Sequence, residues 1–130
     1  MAIDEALRAR REQVVREHMQ SENEMRFDDT LKTFKHPRYE MIPSGDVFDG
    51  EAEVREYYRI SRSRTPDQNN EIIALHFADE AVIVEFWLRG TPGGKPFECR
   101  MCAFFMFDGE LITNEVVYYD RKTIFDQVDG

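Results

Sequence analysis

His18 and Glu22 stand four residues apart in a stretch, residues 4–35, that contains neither glycine nor proline. On a helix this spacing puts both side chains on one face. The same stripe carries Leu7, Val14, Val15, Met19 and Met25. A histidine beside a carboxylate is the usual unit of general acid/base chemistry, because the carboxylate orients the ring and favours its charged form. Polar groups on an apolar stripe need partners or a wet cavity, since burying them unpaired costs roughly 2–7 kcal/mol. The spacing equally describes a surface pair that supports a helix by about 0.2–0.5 kcal/mol.

Two further carboxylates lie inside apolar runs. In residues 81–88, alternation puts Val82, Val84, Phe86 and Leu88 on one face of a strand. Ile83, Glu85, Trp87 and Arg89 take the other, which faces solvent, a partner subunit or a pocket with mixed walls. In residues 111–119, Thr113, Glu115, Val117 and Tyr119 share a face, and Asn114, Val116 and Tyr118 share the opposite one. Toward a dry cavity, Glu115 has a raised pKa. Toward solvent, either glutamate is a cross-strand partner for Arg89 or Arg100.

Other motifs carry less. Cys99 and Cys102 have C-x-x-C spacing, but on a strand the two thiols point to opposite faces and cannot close one metal site. Arg59, Arg62 and Arg64 fall at the C-terminus of an expected helix, where cations complement the dipole. The run Gly90-Thr91-Pro92-Gly93-Gly94 lies between two strands and lacks the strand-to-helix context of a phosphate loop. His76 shares a strand face with Ala74 and is expected to be half-exposed, and His36 beside Pro37 is a turn residue.

The elements that must position these residues follow from periodicity and punctuation. Asp4 caps a first helix, a turn falls near Arg26-Phe27, and Asp28 or Asp29 caps a short second helix that ends at His36-Pro37. Residues 39–42 are extended, and Pro43-Ser44-Gly45 is a turn. A helix opens after Asp49-Gly50 with Val54, Tyr57, Tyr58 and Ser61 on one stripe, and stops before Pro66. Four strands follow, over residues 71–77, 81–89, 97–107 and 111–119, and a final short helix starts after Asp120 and is followed by Gly130. Helices first and a meander afterwards make an α+β fold with helices packed on one face of a curved sheet. At 130 residues and 15.4 kDa the chain is read as a single domain, residues 1–130. Its net charge of −9 argues against nucleic acid or an anionic membrane as partner. No apolar run is long enough to span a membrane. The acidic Met1–Glu5 segment and two lone cysteines fit a cytoplasmic protein without disulfides.

The order of local phrases resembles the SnoaL-like, polyketide cyclase-like group of the nuclear transport factor 2-like and ketosteroid isomerase-like superfamily. The phrases are Glu17-His18 with Glu22-Asn23; Phe34 to Glu40; Pro43-Ser44-Gly45; Gly90-Thr91; Phe107-Asp108-Gly109; Glu115 to Asp120; and Gln127-Val128. The resemblance implies a cystatin-like α+β barrel: a cone-shaped curved antiparallel sheet wrapped by N-terminal helices, open to a mostly apolar pocket. It implies a homodimer through the sheet's outer face, and chemistry that needs neither a metal nor an organic cofactor. The cyclases' acid/base aspartate aligns with Val117 and the isomerases' base with Ile42, both aliphatic here. The Val117 face then looks inward and takes Glu115 and Tyr119 with it, while Glu40 shares the face of Ile42.

These readings combine into one expectation. A small apolar oxygen-bearing substrate is isomerised, cyclised, dehydrated or hydrated, with His18 as acid or base, Glu22 orienting it and Glu115 as a second acid/base. Tyr119 or Tyr39 donates to a developing oxyanion. Tyr39, Glu40, Tyr57, Glu85, Trp87 and Val117 are expected to contact the substrate. The alternative is a module on the same fold that binds a ligand or docks a protein without catalysis.

Overall fold

The computed structural model describes residues 3–129. Met1, Ala2 and Gly130, which enter the expectations above, lie outside the described residues. Helix α1 (Glu5–Asn23) starts where the Asp4 side chain accepts a hydrogen bond from the Leu7 amide at 2.8 Å. Its inner face buries Arg11, Val14, Val15, His18, Met19 and Ser21. Helix α2 (Phe27–Lys32) follows a tight corner in which Met25 takes a φ of 56°. Asp28 and Asp29 are not its cap: the cap position is Arg26, and the two acids occupy the first turn, where they complement the dipole. The corner is held inside by the Ser21 and Thr30 hydroxyls, 2.6 Å apart.

The remaining elements are β1 (Arg38–Met41), β2 (Asp46–Asp49), α3 (Glu51–Arg64), β3 (Asn69–Phe77), β4 (Ala81–Gly90), a 3₁₀ turn (Pro92–Gly94), β5 (Phe97–Asp108), β6 (Leu111–Tyr118) and α4 (Arg121–Val128). The strands form one curved sheet in the order β2-β1-β6-β5-β4-β3. Two features differ from expectation. Strand β2 was not foreseen, because it is a short, largely exposed edge strand with no apolar alternation; Pro43-Ser44-Gly45 is the loop of the β1–β2 hairpin. The sheet is also not wholly antiparallel, since β1 runs parallel to β6.

Strand β5 shows why one face becomes the core. Phe97, Cys99, Met101, Ala103, Phe105 and Phe107 are all buried, and the residues between them are not. The expected separation of Cys99 from Cys102 follows, with Cys99 buried and Cys102 on the other side. Two bulges adjust this alternation. The β5–β6 register shifts at Thr113, so Ile112 and Glu115 both point inward and Thr113 does not share the Glu115 face as strict alternation had it. A second shift, at Ile73, turns Ile72 and Leu75 inward and leaves Ile73 exposed.

Helix α1 packs on β3 and β4, α3 on β1 and β2, and α4 on β5. Arg11 ties α1 to the β5–β6 and β3–β4 turns: its Nε donates to the Gly109 carbonyl at 2.8 Å and its Nη1 to the Asp79 carbonyl at 2.9 Å. The segment after α2 is stitched to β6, with the Ile112 amide donating to the Thr33 carbonyl and the Lys35 amide to the Ile112 carbonyl. Thr33 is thereby held against the start of β6. None of the described helices is long and apolar enough to cross a membrane.

Gly90 permits the close approach of β4 to the end of α3, because a Cβ there would lie 2.3 Å from Cγ2 of the buried Thr65. Gly90→Ala should therefore cost about 1–3 kcal/mol in urea denaturation. Thr65→Ser, which removes that methyl, should return most of the loss in the double variant.

Candidate active site

His18 is fully buried. Its ring meets Phe105 edge-on at 5.0 Å and Phe34 at 5.3 Å between centroids, so its hydrogen bonds are made in a dry setting. Thr33 decides which nitrogen carries the proton. The Thr33 hydroxyl donates to the Thr30 carbonyl at 2.6 Å, leaving its oxygen as acceptor for Nδ1–H of His18 at 2.9 Å. The lone pair of Nε2 then points at three groups: Glu115 Oε1 at 2.9 Å, the Tyr39 hydroxyl at 3.3 Å and Glu22 Oε1 at 3.5 Å.

The backbone brings these groups together by separate means. The i, i+4 spacing on α1 supplies Glu22. The bulge at Thr113 turns Glu115 inward, and the parallel register of β1 on β6 puts Tyr39 directly beside Glu115. Helix α3 adds Tyr58, whose hydroxyl lies 2.6 Å from that of Tyr39. Tyr39 donates to Glu22 Oε2 at 3.0 Å, so the phenols form a chain in which Tyr58 donates to Tyr39 and Tyr39 to Glu22.

Burial dominates the charge states. It lowers the His18 pKa, against the opposing pull of Glu22. It pushes Glu115 up to about 8. Glu22 is also raised by burial; His18 counters this, Glu115 adds to it, and Arg62 and the Tyr39 hydroxyl counter it further. Near neutral pH the central pair is therefore a carboxylic acid donating to a neutral imidazole.

Glu22 and Glu115 line a cavity of about 440 Å³ that also includes Tyr39, Tyr57, Val117 and Tyr119. That size suits a small-molecule ligand. Met19, Met41, Phe86, Leu88, Phe97 and Met101 make much of its apolar wall, and Ile124 and Phe125 of α4 lie at one side. His18 does not line it. The histidine stands behind the wall and meets the lining residues Glu115, Tyr39 and Glu22 through Nε2. Tyr119 contributes wall but makes none of the cluster's hydrogen bonds.

Three expected substrate contacts lie elsewhere. Glu85 and Trp87 are on the outer face of the sheet, because Val82, Val84 and Phe86 occupy the inner one. Glu85 is held there by Arg100 at 3.0 Å and His76 at 3.2 Å, which keep its pKa low. Arg89 lies over the Trp87 ring at 5.4 Å. Glu40 also points outward, since Tyr39 and Met41 are the buried residues of β1; it accepts hydrogen bonds from Arg38 and from Asn114. Ile42, at 45% exposure, is outside as well, so an acid at that position would not serve this cavity.

Thr33, Tyr58 and Arg62 are the contributors that sequence reasoning missed. Nothing in Leu31-Lys32-Thr33-Phe34 marks the hydroxyl, and Arg62 read as an ordinary helix-end cation. One ligand atom each from His18, Glu22 and Glu115 lie within 4.8 Å of one another, a set that could hold a cation. With Nε2 and Oε1 at 2.9 Å, the same atoms are closed on a shared proton.

A curved sheet covered by helices around such a cluster is a ketosteroid isomerase-like, nuclear transport factor 2-like fold. A protein of that fold from Catenulispora acidiphila DSM 44928, solved in complex with trimethylamine, is 18% identical, with 89% of this chain and 92% of that one covered and a TM-score of 0.82. A putative SnoaL-like polyketide cyclase from Jannaschia sp. CCS1 is 11% identical over 100% and 99% of the two chains, with a TM-score of 0.85. An epoxide hydrolase/cyclase-like enzyme of pyran ring formation in the polyether salinomycin is 21% identical over 89% and 95%, with a TM-score of 0.78. A comparison with curated proteins finds no match. Residues 15–115 match the SnoaL-like domain, and the chain belongs to that family.

Glu115 binds its proton more tightly in the folded protein (about 8) than in the unfolded chain (about 4.3). Its contribution to stability is thus fully present below about pH 4.3 and is lost as pH rises through about 8. Glu115→Gln keeps a donor to Nε2 and cannot ionise. Urea denaturation should show the variant gaining on the wild type by a few kcal/mol, order of magnitude, between pH 5 and pH 9. A difference independent of pH would contradict the assignment.

Proposed function

We propose that this chain is a cofactor-independent acid/base catalyst that isomerises, cyclises, dehydrates or hydrates a compact apolar molecule bearing a carbonyl or similar oxygen. The reading rests on one observation: two glutamates share a cavity wall, and a single imidazole nitrogen stands 2.9 Å from one and 3.5 Å from the other. Their surroundings differ enough to divide the work. Glu115, with burial as its dominant influence, is the acid that protonates or hydrogen-bonds the substrate oxygen. Glu22, which has Arg62 and the Tyr39 hydroxyl to stabilise its anion, is the base that takes a proton from the neighbouring carbon. His18 then accepts that proton from Glu22 at Nε2 and returns it to Glu115, so the cycle gains and loses none. Thr33 acts by position: it keeps Nδ1 protonated and Nε2 free.

The test uses a β,γ-unsaturated steroid ketone, an aromatic polyketide ketone and a terpenoid epoxide in deuterated water, followed by NMR. One of them should be converted, or exchange deuterium beside its carbonyl. Glu22→Gln and Glu115→Gln should each slow this by at least about 100-fold. Thr33→Val should slow it and move its pH profile, while Thr33→Ser should not.

A second reading, ligand binding without turnover, is favoured by Val117, an aliphatic side chain where the resemblance aligns the cyclases' acid. It gains ground if a probe binds, is recovered unchanged and undeuterated, and keeps its affinity in Glu115→Gln. We also place a second copy of the chain on the sheet's outer face, where the half-exposed Tyr118 packs edge-on against Phe104 at 5.6 Å and Ile73 is exposed. Light scattering should then give twice 15.4 kDa, and a mass of one chain at micromolar concentration removes the pairing.

A further inference from the structure

The protein is strongly acidic, and its arginines are mostly neutralised where they stand. Outside the cavity, every arginine except Arg8 and Arg11 reaches a carboxylate. Arg8 lies over the Phe77 ring, and Arg11 is spent on two turn carbonyls. The arginines that line the cavity are different. Arg62, Arg64 and Arg121 form no ion pair with any carboxylate among the described residues.

Arg62 is the best placed of the three. Its Nη1 donates to the Ser61 hydroxyl at 3.0 Å, its Nη2 makes a long 3.3 Å bond to the Glu22 carbonyl, and its charge lies over the Phe27 ring at 5.4 Å. Its Nε–H is buried and has no partner among the described residues. A buried donor left open is uncommon and marks a place where another group is accommodated. The Nε–Nη2 edge carries two parallel donors that match the two oxygens of a carboxylate, and of these donors only Nη2 is engaged, in the long bond to the Glu22 carbonyl.

Helix electrostatics account for only part of the arrangement. Arg62 and Arg64 sit in the last turn of α3, where the dipole welcomes cations. Arg121 is the first residue of α4, the end that disfavours them. The opposing charge in the wall comes from three acids: Asp46, whose Oδ2 accepts from the Ser44 hydroxyl; Glu115, which burial keeps protonated to about pH 8; and Glu22, which faces the Arg62 charge.

We infer that the arginine-bearing side of the cavity is a carboxylate anchor, with Arg62 as the direct contact and Arg64 and Arg121 adding attraction at the mouth. The ligand is then an amphipathic organic acid, its apolar body lying against the Phe86 and Leu88 wall toward Glu22 and Glu115. This rests on the same cavity as the proposed function and narrows its substrate class.

The experiment compares naphthalene-2-acetate with naphthalene-2-acetamide, two probes of nearly the same shape that differ in charge, by calorimetric titration at pH 7.5 and low salt. The acid should bind at least about tenfold tighter, and the advantage should shrink as salt is added. Arg62→Met should weaken the acid far more than the amide and so erase the preference, and Arg62→Lys should restore part of it. Should Arg62→Met fail to fold, the exposed Arg64→Gln and Arg121→Gln, each expected to reduce the preference by about two- to threefold, carry the test. An amide that binds as well as the acid overturns the anchor and leaves the cavity reading standing. If neither probe binds at millimolar concentration, both readings fall.

Discussion

One hydrogen bond between residues 97 positions apart organises this protein: Nε2 of His18 on the first helix against Oε1 of Glu115 on the last strand. Two titratable side chains at 0% and 5% exposure are tolerable only because they share a proton and are otherwise satisfied. That condition constrains much around them. Thr33 must accept from Nδ1, so the segment after α2 must be stitched to β6. Tyr39 must sit beside Glu115, so β1 must run parallel to β6. Glu115 must face inward, so the strand needs its bulge. Two departures from a plain antiparallel meander, the parallel pairing of β1 with β6 and the bulge at Thr113, both serve to complete this cluster.

The sheet separates two chemistries of the same side chain. Glu85, on the outer face, meets Arg100 and His76 and is held ionised. Glu115, on the inner face, has burial as its dominant influence and keeps its proton to about pH 8. The residue type is identical, and the face it takes decides whether it is a solvated partner in an ion pair or a proton donor in a cavity. The same division explains why Glu40 and Trp87 face away from the cavity although their neighbours Tyr39 and Phe86 line it.

Legibility in the sequence followed interaction range. The helix carrying His18 and Glu22 was readable because a 3.6-residue stripe is local, and the four long strands because alternation is local. Strand β2 was not, since it is a short, largely exposed edge paired on one side only, and its two apolar residues, Val47 and Phe48, are adjacent and give no alternation. The bulge at Thr113 was invisible for another reason: a register shift is set by the partner strand and not by the strand's own composition. Arg62 looked like a helix-terminal cation because its unfilled Nε–H exists only once α3 is packed.

The sequence by itself determined the element types, the stripe that put two polar residues on a buried helix face, and the alternation that aligned Glu115 with Val117. Those features depend on neighbours within a few residues, and backbone geometry makes their periods unavoidable. Only the tertiary structure decided that Glu85 looks out and Glu115 in, that Thr33 selects the tautomer of His18, and that the histidine lies behind two glutamates. Each of those outcomes depends on which distant segment arrives at hydrogen-bond distance, and hence on burial, which no local window of sequence contains.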